Sequence, residues 1–189
     1  MSDIIVFNTE EQAFSVQQQT FKCSGYGLGE LIKELTNPRA IEIGCDIGDT
    51  ANFLLDSNPT LNLTSVDPYM EYQDWNGRMM DEREDMCHKM NSRLKKYSNR
   101  FTHIRKTSDE AAELFNDGEY DLVFIDGLHT YEQLTIDCAN YYSKVKPGGI
   151  FSGHDFTAIE GVNRAAKEFA AKVGKEILTT ECDVWYWIK

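Results

Sequence analysis

Short apolar runs alternate along this chain with stretches of helical spacing. Residues 39–44 (Ala40, Ile41, Ile43), 61–66, 101–105, 120–125 and 149–153 read as strands. Between and after them, 50–57, 108–115, 130–144 and 162–173 read as helices. The run Leu122, Val123, Phe124, Ile125 has no polar alternation, as expected of a strand covered on both faces in a parallel sheet. An amphipathic helix over 27–35 puts Leu28, Leu31, Ile32 and Leu35 on one face, and Asn37-Pro38 stops it. At the far end, 176–179 and 184–188 are expected to form an antiparallel hairpin at one sheet edge. Strand–helix alternation of this kind predicts an α/β fold around a mostly parallel sheet.

The first strand ends in Glu42-x-Gly44-x-x-x-Gly48-x-Thr50. A buried strand that breaks into a glycine turn lets backbone approach a ligand that side chains would exclude. The helix that follows aims its first N–H groups back at the turn, where they suit a carboxylate or another anion. A phosphate-binding loop would need G-x-x-x-x-G-K-S/T, and no Lys follows Gly48. A dinucleotide fingerprint would need G-x-G-x-x-G, but its middle glycine is Asp46 here, whose charge would crowd a pyrophosphate. An acid two residues before the first Gly, with a second Gly four later, resembles motif I of the class I S-adenosylmethionine (SAM) methyltransferases.

Three further blocks bear on that resemblance. The second strand ends in Asp67, 23 residues after Gly44, where nucleotide-binding α/β units carry an acid for the ribose hydroxyls. Alternatively, Asp67 simply starts the Asp67-Pro68 turn. The fourth strand delivers Asp126, His129 and Tyr131 just past its C-terminal end, and the fifth delivers His154 and Asp155. That rim is where open α/β sheets bind ligands. The pattern D-G-x-H-x-Y, then K-P-G-G and G-H-D-F, is similar to small class I enzymes related to sugar and natural-product O-methyltransferases. The likeness runs from about Arg39 to Phe156. It implies a Rossmann-like doubly wound seven-stranded sheet, mostly parallel, with an antiparallel C-terminal hairpin.

The resemblance also implies roles. Glu42 and Gly44 would face the methionine part of SAM, with Gly48 and Thr50 in the same turn, Asp67 on the ribose, and Ser108 with Asp109 near the adenine. Thr107 to Glu110 is equally a helix N-cap, which explains those residue types without a ligand. Relatives place metal ligands at the positions of Asp126 and Asp155, which could share Mg²⁺ or another divalent cation. Beside Asp155 this chain has His154 instead of Asp or Asn, a set that shifts preference toward a metal tolerating imidazole. Asp126, His129 and Asp155 are the catalytic candidates. His129, with an ordinary pKa of about 6.5, could serve as general base. The plain alternatives are that His129 caps the next helix and His154 packs under a loop.

Size and composition fit one domain over 1–189, with 41% hydrophobic residues. The net charge of −12 disfavours nucleic acid as a partner, because phosphodiester binding relies on basic residues. No apolar run is long enough to span a bilayer. The five cysteines have no C-x-x-C spacing, so reduced thiols in a cytoplasmic protein are expected. Residues 1–36, with Phe14, Phe21 and Tyr26, and the insertion 69–100, rich in Met and aromatics, are expected to shape the acceptor site. The insertion could instead pack a second copy in a homo-oligomer or complete the core. The reading is thus a SAM-dependent methyltransferase acting on a hydroxyl of a small molecule. The alternatives are a non-catalytic SAM-fold binding module and a related enzyme running another reaction on the same scaffold.

Overall fold

The computed structural model describes residues 25–180 and 182–189. Phe14 and Phe21 lie outside these. Helical residues 25–32 (α1) are followed by β1 (Arg39–Ile43), α2 (Asp49–Ser57) and β2 (Asn62–Val66). Next come a small hairpin, β3 (Tyr72–Gln73) and β4 (Met79–Met80), and α3 (Arg83–Leu94). The chain continues through β5 (Phe101–Ile104), α4 (Ser108–Ala112), β6 (Tyr120–Ile125), α5 (Tyr131–Tyr141), β7 (Val145–Gly153) and α6 (Glu160–Val173). It closes with β8 (Leu178–Thr179) and β9 (Trp185–Ile188).

Seven strands form one sheet in the order β5-β2-β1-β6-β7-β9-β8. The first five are parallel, and β9 enters antiparallel between β7 and the edge strand β8. This is the doubly wound, mostly parallel sheet with a C-terminal antiparallel pair that the sequence led us to expect. Alternate residues of each strand feed two cores. Ile41, Ile43, Val123, Ile125 and Phe151 pack with Trp185 and Trp187 beneath α4, α5 and α6. Ala40, Leu63, Leu122 and Phe124 pack with Leu28, Ile32, Leu54, Met90 and Leu94 from α1, α2 and α3. Each Val, Leu, Ile, Met or Phe among them contributes about 1.5–3 kcal/mol through burial.

Several boundaries differ from expectation for local reasons. The fifth strand begins at Val145 instead of 149. Tyr120 pairs Val145, Leu122 pairs Ile150, and the residues between form a bulge because Pro147 offers no N–H and Gly148 turns left-handed at φ 80°. The helix expected over 108–115 stops at Ala112, after a capping box in which Thr107 accepts from the Glu110 N–H and Glu110 from the Thr107 N–H. The helix expected over 130–144 ends at Tyr141 and finishes in a 3₁₀ turn.

The insertion 69–100 folds as the β3–β4 hairpin followed by α3. Its first part turns at Asn76-Gly77, with Asp74 accepting the N–H groups of Asn76 and Arg78 at 3.1 and 2.8 Å. Asn-Gly between short strands is a hairpin signal. Met70, Trp75 and Met79 are about half exposed, whereas Cys87, Met90 and Leu94 of α3 are core. Of the N-terminal segment, the described helix α1 likewise belongs to the core, with Leu28 and Ile32 fully buried. Cys45, Cys87 and Cys138 are free thiols, while Cys182 is disulfide-bonded, against the expectation of reduced thiols throughout. No described helix is long and apolar enough to cross a membrane.

Candidate functional site

At the C-terminal ends of β1, β2 and β6 the sheet opens into a cavity of about 420 Å³. Its wall includes Glu42, Gly44, Asp46, Thr50, Asp67, Ser108, Asp109, Asp126 and His129, side chains that come from positions up to 87 residues apart. Gly48 is not on that wall. A Cβ there would sit 3.0 Å from Leu94 and 3.2 Å from Met90, so this glycine, the left-handed N-cap of α2 (φ 77°), makes room for α3. Gly44 is fixed by a closer neighbour. Its φ is +85°, and a Cβ would lie 2.0 Å from the backbone oxygen of Asp126. The close approach that demands glycine is therefore to the end of β6, and it draws the two halves of the cavity together.

Three non-glycine residues around the cavity also sit in the left-handed region: Asp46 (φ 45°), Tyr69 (φ 47°) and Asp155 (φ 56°). Each costs on the order of 1–3 kcal/mol and persists only where surroundings impose it. Around the turn the imposing bonds are visible. Asp67 Oδ2 accepts the N–H groups of Cys45 and Asp46, both at 3.1 Å, and Oδ1 accepts that of Tyr69 at 2.9 Å. The Tyr69 hydroxyl donates to the Asp46 carbonyl. Asp67 thus staples the end of β2 to the turn after β1.

Glu42 is 1% exposed and accepts a hydrogen bond from the Ser65 hydroxyl. Burial pushes its carboxyl up to about 8; the Ser65 bond only partly opposes this, and the nearby Asp126 and Asp67 charges add to it. Glu42 therefore holds its proton to higher pH than an ordinary glutamate does.

Beyond Asp67, the wall passes to α4 and α5. Gln133 Nε2 donates to Ser108 Oγ at 3.2 Å, to Asp137 at 3.1 Å and, at 3.4 Å, to Asp109. Asp109 also takes the amide of Asn140 at 3.2 Å. Asp137 is 1% exposed, and burial raises its carboxyl to about 6 against the pull of Ser108 and Gln133. Gln133 and Asp137 did not figure among the sequence candidates. They stand four residues apart on α5, on one helical face that a helix-period reading of polar positions would have found.

The opposite end is an acid–imidazole cluster. His129 Nε2 is 3.0 Å from Asp126 Oδ1 and 3.1 Å from Asp155 Oδ2, so it bridges the two carboxylates. His154 Nδ1 lies 3.3 Å from Asp155 and 3.7 Å from Asp126, and its Nε2 is 3.1 Å from the Cys182 carbonyl. Asp126, His154 and Asp155 each offer one ligand atom, all within 4.8 Å of one another. His154 and Asp155 adjoin the cavity without lining it. Desolvation opposes charge on Asp126, but the His129 bond and both imidazoles hold it below the usual carboxylate range. Desolvation lifts Asp155 instead. His129 would lose its proton to burial, yet the two carboxylates raise its pKa above the ordinary 6.5. The cluster can therefore hold a proton, or a cation, between two acids.

A glycine turn after β1, an acid at the end of β2 and this sheet order together define the fold of class I SAM-dependent methyltransferases. Residues 41–156, more than half of the chain, match the family model described as a methyltransferase domain, and the chain belongs to that family. Solved structures agree in fold. A Staphylococcus aureus protein provisionally assigned as a caffeoyl-CoA O-methyltransferase is 16% identical, with a TM-score of 0.63 over 96% of this chain and 93% of its own. The S-adenosylhomocysteine (SAH)-bound methyltransferase PaMTH1 of Podospora anserina is 15% identical, with 0.59 over 100% and 99%. A SAM-dependent O-methyltransferase of Thermotoga maritima is 13% identical, with 0.58 over 83% and 53%. Among curated proteins, none matches the chain by sequence.

Proposed function

We propose that this protein transfers the methyl group of SAM to a hydroxyl of a small-molecule acceptor. The observation that carries this reading is one cavity whose wall includes Glu42, Asp67, Asp126 and His129. Its volume suits a small ligand. Glu42 receives the ammonium of the methionine part, Asp67 the ribose, and Ser108 with Asp109 the adenine. Methyl transfer from a sulfonium is an in-line displacement, so the wall's first duty is to align acceptor oxygen and methyl carbon. The second is to take the hydroxyl proton. His129 does this in its neutral form, with Asp126 and Asp155 stabilising the imidazolium that results.

A divalent cation fits the same cluster. Asp126, Asp155 and His154 would hold it, and two carboxylate oxygens with one imidazole suit a nitrogen-tolerant ion better than Mg²⁺. When bound, such an ion lowers the pKa of a hydroxyl that it touches. Because His129 already stands between the carboxylates, protonated His129 and the ion satisfy the same negative charge. The acidic composition supports a small-molecule acceptor over nucleic acid. Met70, about half exposed, and the partly buried Tyr72 at the cavity suit the acceptor's apolar body. The test is incubation with SAM and a panel of hydroxyl compounds, with and without chelator, read by mass spectrometry. Methylated product with SAH formation is expected. Folded protein that neither binds SAH nor yields any product overturns the proposal.

A further inference from the structure

Arg83, the first residue of α3, is a cavity residue that neither the motifs nor the proposed roles account for. It comes from the insertion yet is 7% exposed and lines the cavity beside Asp67 and Asp46. Nη1 is 2.9 Å from Asp46 Oδ1 and Nη2 is 3.4 Å from Asp67 Oδ2, a long contact. The rings of Tyr69 and Tyr72 flank it, each centred 5.6 Å from Cζ. Glu82, left-handed at φ 54°, sets the direction in which α3 departs and hence where Arg83 stands.

Two features go beyond charge pairing. The Nε–H of Arg83 is buried with no acceptor among the described residues, an arrangement that costs about 1–3 kcal/mol when nothing fills it. In addition, the Asp67 carboxylate is asymmetrically used. Oδ2 already serves Cys45, Asp46 and Arg83, whereas Oδ1 serves only Tyr69 among the described residues. An oxygen accepts two hydrogen bonds comfortably, so Oδ1 keeps one place for a donor. The wall therefore sets Asp67, whose Oδ1 has one place left, beside the Arg83 guanidinium, which keeps one N–H unpartnered among the described residues.

We propose that Asp67 and Arg83 together read the cis-diol of the cofactor ribose, one hydroxyl donating to Asp67 and its neighbour's oxygen accepting from Arg83. This rests on the SAM reading above and deepens it. A carboxylate alone accepts two O–H donors and is indifferent to which hydroxyl it takes. A donor–acceptor pair requires both oxygens in fixed order. A second consequence is that the insertion touches cofactor directly: the helix whose Met90 and Leu94 cover Gly48 also supplies a ribose contact.

The experiment is calorimetric titration of wild type and Arg83→Met with SAH and with its 2′-deoxy and 3′-deoxy analogues. Wild type is expected to bind both analogues roughly 10- to 100-fold more weakly than SAH, each having lost a charged hydrogen bond. Arg83→Met is expected to bind SAH more weakly by a similar factor and to stop discriminating against one analogue while still rejecting the other. Full rejection of both analogues by Arg83→Met, or equal binding of SAH and an analogue by wild type, overturns the proposal. If Arg83→Met does not fold, Arg83→Lys takes its place, since it keeps the charge but loses the planar donor array. Failure of wild type to bind SAH at all would instead reject the cofactor reading itself.

Discussion

The two ends of the cavity hold their carboxylates in opposite ways. Asp67 is stapled by three backbone N–H groups, which fix both its position and the turn after β1. Asp126 and Asp155 are held by imidazoles, which can give up a proton or yield to an ion. Under the proposed function, one end serves shape and the other serves charge that changes during the reaction. Binding residues profit from rigid backbone partners, whereas groups that move protons need partners whose own charge can vary.

The largest expected effect lies where the two ends meet. Gly44→Val would force a Cβ into the Asp126 carbonyl at a φ that valine resists, and a loss of about 3–5 kcal/mol in urea unfolding is expected. A midpoint close to wild type would mean that the contact between the β1 turn and β6 is soft. Next comes the titratable end. His129→Gln should lower turnover roughly 100- to 10,000-fold while SAH affinity stays close to wild type. A comparable loss in SAH affinity would place His129 with the rigid end instead.

At the rigid end, Asp67→Asn should weaken SAH binding by roughly 10- to 100-fold, because an amide cannot accept as the carboxylate does. Thermal unfolding should register the loosened turn as well. Unchanged affinity would leave Asp67 as only a staple.

The smallest effect separates the ends by pH. Glu42 has a folded pKa of about 8 against an ordinary 4.5, so the folded state holds a proton that the unfolded state releases. Its contribution to stability is complete below about 4.5 and declines as pH rises towards 8. Glu42→Gln, neutral throughout, should flatten that decline in denaturant titrations. A cationic ligand favours ionised Glu42, so SAH affinity should rise across the same window with proton release, seen as heat that depends on buffer. A slope unaltered by Glu42→Gln would assign the dependence to another group.

Much of this molecule is visible in its sequence because strand periodicity and glycine turns are local signals. The five parallel strands, the terminal antiparallel pair and the convergence of Glu42, Asp67, Asp126 and His129 on one rim follow from them. What was hidden is what depends on distant packing. Gly44 looked like a concession to a ligand, and only the position of the Asp126 carbonyl shows the nearer cause. Gly48 looked alike but answers to α3. Arg83 is one charge among many in a charge-rich segment, and nothing local marks it as buried. The hairpin at Asn76-Gly77 is a local signal of the same kind as the glycine turns. Gln133 and Asp137 needed the polar face of α5 to be read with the same periodicity as its apolar one.

The central claim is that a sulfur-bearing nucleoside occupies the cavity between Glu42 and Asp67. Calorimetric titration of SAH into the purified protein tests it most directly. One-to-one binding is expected in wild type, with the heat abolished or nearly so in a folded Asp67→Ala variant. A folded wild-type protein that releases no heat with SAH, or an Asp67→Ala variant that binds it as tightly, would contradict the claim.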